Sequence, residues 1–265
     1  MKKISSIAAL AVIFMISYSA VFYASDGGNE KITVLSYNIR HGAGTDDVID
    51  LSRIAAVIKS VDPDIVSLQE VDVLTKRSGG VDQAQELGRL TGMQAVFSPS
   101  MDHSGGKYGN AVLTKLSIES SKVLPLPGEP RSALFLKLKK NDSGMHFVFI
   151  ATHFDTDSIP RMASIPLIEK EYETMDGLPA ILAGDLNALP HSTVMTELFK
   201  RWCSTVSTNG WYTFPSQKPS MQIDYILFRP CSNWRVVKSE VPEESVASDH
   251  RAIMSVLELI QSGAK

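Results

Sequence analysis

Cysteine is scarce in this sequence: Cys203 and Cys231 are the two among 265 residues. Two cysteines without close spacing exclude a cysteine-built zinc site. In an oxidising compartment they could pair, and two buried free thiols are an equal alternative. A basic excess is also lacking, since 26 Lys and Arg stand against 29 Asp and Glu for a formal net charge of -3. Removing Lys2 and Lys3 takes that to -5. No surplus is left for the basic stripe with which proteins grip long nucleic acid nonspecifically, although local basic patches stay open. No Gly/Ser or Pro run, block of like charge, or repeat at a solenoid or propeller period breaks the interior. Linkers and arrays are therefore excluded, and one domain over residues 30–261 is the reading.

Hydrophobic residues at 44% and charged residues at 21% are ordinary for a chain that buries a full core. One long apolar run exists, from Ile4 to Ala24 behind Met1-Lys2-Lys3, the pattern of an export segment. Ser19, Ala20 and Ala24 offer small residues for cleavage, but Tyr18 and Phe22 stand where small residues are preferred. A signal peptide over residues 1–25 and a retained N-terminal membrane anchor both stay open, because the run approaches bilayer-spanning length. With no cysteine near its end, a lipoprotein is not expected. The expected location is outside the cytoplasm: periplasmic, secreted or membrane-anchored.

The stretch Lys31–Asn38 alternates as a strand and stops before Gly42, so Asn38 is expected at a strand end. Leu51–Ser60 reads as a helix ended by Asp62-Pro63, and Asp64–Glu70 as a buried strand whose polar end is Glu70. Asp82–Leu90 reads as a helix ending at Gly92, followed by a short strand over Gln94–Phe97. Further strands are expected from Tyr108, over Ser132–Lys139, and over Met145–Thr152 ahead of His153. A helix around Arg161–Met175 precedes an apolar strand that ends at Asp185-Leu186-Asn187. Ile223–Phe228, Trp234–Lys238 and Arg251–Leu259 complete the strands. The mixture is α/β or α+β. Its strands repeatedly begin or end on oxygen-bearing or imidazole side chains, where a rigid sheet can hold chemistry.

Gly184-Asp185-Leu186-Asn187 sets a carboxylate and an amide two residues apart, able to enter one cavity. Asp can orient or deprotonate water, and Asn can hold a phosphate oxygen without adding charge. Alone, the piece is equally an Asx turn. Ser248-Asp249-His250 places a hard carboxylate beside an imidazole, suited to a metal ligand next to a proton-handling group. Asp224, embedded in a strand, needs a partner if buried; orienting His250 satisfies both groups, and an ion pair with an arginine is the plainer alternative. Glu70 offers oxygen to a hard cation such as magnesium, which one or two protein carboxylates suffice to hold.

Together these pieces resemble the endonuclease/exonuclease/phosphatase superfamily. The resemblance runs in order through Tyr37-Asn38, Leu68-Gln69-Glu70, Ala151-Thr152-His153, Gly184-Asp185-Leu186-Asn187, Ile223-Asp224-Tyr225 and Ser248-Asp249-His250. It implies a four-layer α/β/β/α sandwich with two packed mixed sheets. It also implies Mg2+ at Glu70, with Asn38 and Asp249 close to the metal and Mn2+ or Ca2+ as substitutes. Asp185 would position or activate water beside Asn187. His153 and His250 would stabilise the transition state, with Asp224 orienting His250. Thr75–Gln83 and Gly105–Asn110 resemble segments of a bacterial branch and nominate Arg77, Lys107, Tyr108 and Asn110 as substrate contacts, joining Asn38 of the first motif, although Arg77 and Asp82 could simply tie a loop. His41 follows the Asn38 motif, with a surface position the plainer reading.

The expected substrate is a phosphoester on a lipid headgroup, small molecule or nucleic acid, with a phosphodiester preferred over a phosphomonoester. A monomer is expected, with membrane association open through the N-terminal segment. Two rivals come from other classes: a metal-independent glycosidase using Asp185 and Asp224, and a catalytically inactive binding module, which would not need the full residue set.

Overall fold

A computed structural model describes residues 30–141 and 143–260; the export segment expected over residues 1–25 lies outside them. In chain order, β1 (Glu30–Asn38), a 3-10 turn (Arg40–Gly42), α1 (Leu51–Val61), β2 (Ile65–Val73), α2 (Gln83–Thr91), β3 (Gln94–His103) and β4 (Gly106–Thr114) form the first half. Next come β5 (Ser117–Leu126), β6 (Arg131–Lys140), β7 (Met145–His153), α3 (Ser158–Tyr172), β8 (Ala180–Asp185), α4 (Thr193–Leu198), β9 (Cys203–Ser204) and β10 (Asp224–Arg229). A second 3-10 turn (Cys231–Asn233) leads to β11 (Trp234–Glu240) and β12 (Ile253–Leu259).

The strands form two six-stranded sheets, ordered β11-β12-β1-β2-β4-β3 and β5-β6-β7-β8-β10-β9. Each sheet is mixed, with parallel β1/β2 in one and parallel β7/β8 in the other. Alternation explains the layering. In β1, Ile32 and Val34 enter the core between the sheets, and Leu35 and Tyr37 pack toward α1 and α2. In β8, Ile181 and Ala183 face the other sheet, and Ala180 and Leu182 face α3 and α4. Both faces of β8 are covered, so its sequence is nearly continuous in apolar residues. The result is the expected α/β/β/α sandwich.

Local chemistry sets the helix ends. Asp50 accepts from the backbone of Ser52 and Arg53 to begin α1, and Asp62 ends it in the left-handed region. Asp82 caps α2 and Gly92 terminates it. The helix expected at Arg161 begins at Ser158, because Asp157 accepts from Ile159 N and supplies the start. The strand expected to stop at Glu70 continues to Val73, its register shifting between Leu68 and Val71. β5 was not among the expected strands. It is a sheet edge with most side chains exposed, so it carries no apolar alternation.

Cys203 and Cys231 pair as a disulfide joining β9 to the turn after β10, which resolves the two alternatives left by the sequence. No helix among the described residues is long and apolar enough to cross a membrane.

Candidate active site

The two parallel strand pairs end at the same place. Asn38 lies opposite Gln69 where β1 meets β2, and His153 lies opposite Asp185 where β7 meets β8. Asp224, the first residue of β10, lies opposite Asp185 from the other side. Packing the sheets face to face therefore brings residues far apart in sequence into one cluster. Gly184 permits the approach of β7 and β8: a Cβ there would lie 1.9 Å from Thr152 O.

Asp185 is the centre. Its Oδ1 accepts from Asn187 N at 2.9 Å, and its Oδ2 accepts from Asn38 Nδ2 at 3.1 Å. His153 Nε2 and His250 Nε2 stand 3.6 Å and 3.7 Å from Oδ2. Burial, then the neighbouring Asp224 charge, pushes the Asp185 carboxyl up to about 7. Asn187 holds its place with a left-handed backbone (φ 49°) and an amide that donates to Phe154 O at 2.9 Å. The same amide nitrogen is 3.2 Å from His153 Nε2.

The two histidines differ in charge. Burial works against a proton on His250, but the Asp224 carboxylate, with Asp185 and Asp249 behind it, outweighs burial and pushes the imidazole up to about 10. His250 Nδ1 donates to Asp224 Oδ2 at 2.9 Å, and Thr213 Oγ1 donates to the same oxygen at 2.5 Å. His250 is therefore an imidazolium across the neutral range, and its partner is a histidine-bound Asp224 rather than an arginine-bound one. His153 is the opposite case. Burial, then the charges of Arg131 and His250, hold it well below the ordinary histidine value. Arg131 Nη1 lies 3.1 Å from His153 Nδ1. A guanidinium only donates, so Nδ1 accepts there, while Nε2 faces Asp185 Oδ2 at 3.6 Å and the Asn187 amide nitrogen at 3.2 Å.

Glu70 projects from the irregularity in β2 with a left-handed backbone, φ 59°. A bulge of this kind re-aims a side chain, and here Glu70 Oε1 accepts from Asn38 Nδ2 at 3.1 Å. Asn38 thus bridges Glu70 and Asp185 through its nitrogen, and its oxygen accepts from Arg40 N. Asp249 sits on the loop before β12. Ser248 Oγ fastens that loop to the end of β1 by donating to Asn38 O at 2.7 Å.

Two cavities, of about 510 Å³ and 380 Å³, share Glu70, Arg131 and Asp249. The larger includes Arg77, Tyr108, Arg40 and His41, and the smaller includes His153, Asp185, Asn187 and His250. Two places suit a cation. Asp185, Asp224 and His250 offer ligand atoms all within 4.8 Å of one another. A cation there competes with the proton that Asp224 holds on His250. Glu70 and Asp249 instead present hard oxygens on the floor common to both cavities, the donor type magnesium favours.

The structure separates the remaining expected contacts. Arg77 donates twice at 2.8 Å to buried Asp72, not to Asp82, which caps α2; Arg77 still reaches the larger cavity and stacks on Tyr108 at 5.5 Å. Lys107 is a correction. Strand alternation turns it from Tyr108's side, and it ion-pairs with Asp102 beside a separate cavity at the β3–β4 turn. Asn110 is another: it is buried and donates to Ser132 O at 2.9 Å, tying β4 to β6, and lines neither cavity. His41 is half-buried in the larger cavity rather than at an open surface. Arg131, absent from the sequence-derived set, lines both cavities. Its signal was available, a cation opening a strand after Glu129-Pro130.

The model of the Endonuclease/Exonuclease/phosphatase family matches residues 35–250. The chain belongs to this family, and it is an enzyme of the family's class, a metal-dependent phosphoester hydrolase. Among solved structures, a family protein from Bacteroides thetaiotaomicron is similar at 20% identity and TM-score 0.74, covering 88% of this chain and 99% of that one. A mannosyl-6-phosphatase from the same organism is similar at 21% identity and TM-score 0.71, covering 86% and 99%. The human Nocturnin catalytic domain is similar at 21% identity and TM-score 0.69, covering 87% and 94%. No curated protein matches the chain.

Proposed function

We propose that the protein is a magnesium-dependent hydrolase that directs water at the phosphorus of a phosphoester, with a diester preferred. The observation that carries this reading is the Asp185 carboxylate, pushed up to about 7 and set between a neutral and a charged histidine. A base poised near neutrality is effective at taking a proton from water. Asn187 N fixes Asp185 Oδ1, which leaves Oδ2 to orient the water beside the Asn38 amide. The charged His250, through Nε2–H, and His153 beside it then face the phosphoryl oxygens as charge grows in the transition state. Asp224 keeps the proton on His250. Glu70 and Asp249 would hold the cation, with Asn38 bracing Glu70. A bound Mg2+, with Mn2+ or Ca2+ as substitutes, supplies positive charge against the phosphoryl oxygens. This division of labour suits phosphoryl transfer, which rewards positioning and charge neutralisation.

Two cavities meeting at Glu70, Arg131 and Asp249 give room on both sides of phosphorus, which supports the diester. The rival is a phosphomonoester, favoured by the mannosyl-6-phosphatase among the similar structures. A glycosidase is disfavoured because Asp224 is engaged by His250 and Thr213 and is not free to attack a sugar. The Cys203–Cys231 disulfide supports an exported, oxidising location.

The test is turnover of bis-(p-nitrophenyl) phosphate and p-nitrophenyl phosphate by the chain lacking its first ~25 residues, an export boundary, with magnesium and with chelator. Activity that needs magnesium and disappears in Glu70→Ala and His250→Ala supports the mechanism, and the preferred ester decides between diester and monoester. Activity that survives chelation and both substitutions refutes it.

A further inference from the structure

The larger cavity holds more cationic chemistry than cleavage of one phosphoester requires. Three arginines from separate segments converge on it: Arg40 from the turn after β1, Arg77 from the β2–α2 loop, and Arg131 from the start of β6. Each is oriented by other groups. Buried Asp72 takes Nε and Nη2 of Arg77, and the Tyr108 ring lies beneath its guanidinium. Arg40 is steadied by Gly44 O at 2.9 Å, by exposed Asp47 at 3.1 Å and, at the edge of the shared floor, by Asp249 at 3.9 Å. Arg131 reaches Tyr108 Oη at 3.5 Å and Glu129 at 2.9 Å. Its side chain is only 10% exposed, and its Nε has no hydrogen-bond partner. His41 Nδ1 is likewise buried without one.

The backbone adds an independent sign. Arg40 and His41 are consecutive non-glycine residues at φ 44° and 46°, a conformation that L-residues adopt at a cost and that concentrates at functional sites. The carboxylates Glu70 and Asp249 belong to the floor shared with the neighbouring cavity, and Glu129 is more than half exposed on its outer side. With a cation on Glu70 and Asp249, the charged side chains left facing the cavity are Arg40, Arg77 and Arg131 against Glu129. The cavity's volume of about 510 Å³ falls in the range of roughly 300–1,000 Å³ typical of small-molecule sites.

We infer that this cavity is a subsite for a second anionic group, so that the substrate carries a phosphate or carboxylate in addition to the phosphoester attacked beside Asp185. This rests on the proposed hydrolase reading for the placement of the attacked ester. Arg77 and Arg40 would grip the second anion with charge-assisted hydrogen bonds, and Arg131 stands between the two groups.

The experiment measures calorimetric affinities, in magnesium, for alkane bisphosphonates from propane to hexane and for the matching monophosphonates. The wild type is compared with Arg40→Gln and with the double variant Asp72→Asn/Arg77→Gln, in which no buried carboxylate is left unpaired. The quantity read is the bisphosphonate-to-monophosphonate affinity ratio within each protein, so a general loss of folded material does not change it. The wild type is expected to favour the best bisphosphonate by about 10- to 100-fold, with most of that advantage lost in both variants. A wild-type ratio near one, or an advantage kept in both variants, overturns the inference. Failure of the wild type to hydrolyse the nitrophenyl esters would instead count against the hydrolase reading, and the affinity ratio would still decide the subsite.

Discussion

Replacing Asp224 with Asn keeps the shape of the side chain that holds His250 and removes its charge. The raised position of His250, from 6.5 to about 10, corresponds to roughly 5 kcal/mol in favour of the imidazolium. Burial opposes that preference, and Asp224 is the largest of the groups that create it. Asp185 and Asp249 remain in Asp224→Asn, so the histidine falls toward its ordinary value without collapsing to a fully buried one. If the imidazolium donates chiefly to the transition state, kcat should drop by about 10²- to 10⁴-fold with KM little changed. The loss should be smallest near pH 7 and deepen toward pH 9, where the wild-type ring is still charged. Below about 7, protonation of Asp185 hides any recovery. The linkage has a definite sign. A raised histidine pKa contributes stability that is complete below about 6.5 and is lost as pH rises through about 10. Asp224→Asn should therefore melt lower than wild type at neutral pH and converge with it above 10. The assay is magnesium-dependent ester turnover across pH, with thermal melts alongside. A variant with wild-type kcat and an unaltered pH profile, or a wild-type His250 resonance that titrates near 6.5, would refute the reasoning.

Gly184→Ala should separate β7 from β8, because its Cβ would lie 1.9 Å from Thr152 O; activity should fall at least about 100-fold with a stability loss of roughly 1–3 kcal/mol or more, and a fully active, wild-type melt would show the approach to be dispensable. In chelator-treated protein, infrared titration of Asp185 should give a value near 7 that magnesium lowers; an unmoved value places the cation away from this carboxylate. Removing the disulfide with Cys203→Ala/Cys231→Ala opens a link across 28 residues. That should cost roughly 3–4 kcal/mol and about 10 °C in Tm, while kcat per folded molecule stays constant; an unchanged Tm would mean that the bridge constrains little.

Much of this site was readable because strand alternation and strand ends leave local marks. Asn38, His153, Asp185 and Asp224 all end or begin apolar strands, and the structure puts them together. Glu70 was visible as an acid after an apolar run, but the irregularity in β2 that aims it depends on pairing with distant β4, where Leu68 faces Ala111 and Val71 faces Gly109. Lys107 shows the converse: its residue type and neighbours suggested a phosphate contact, and a single step of alternation sends it elsewhere. Arg131 was overlooked because its importance lies in what it touches, His153 and Tyr108, from two other strands. β5 escaped notice for a different reason. An exposed edge strand buries too little to impose a hydrophobic period.

The pairing of β1 with β12 has a practical consequence. Glu30 sits opposite Leu259, while Asn38 and the loop carrying His250 lie at the other end of the same strands. Nine residues of β1 separate the two poles, a distance of about 30 Å. A bead, a fusion partner or a lipid surface joined directly at Glu30 or at Leu259 would therefore attach at the pole away from the catalytic cluster. The adjacency of the two strand ends also makes the domain suited to circular permutation, with new termini opened in an exposed loop and the old ones joined by a short bridge.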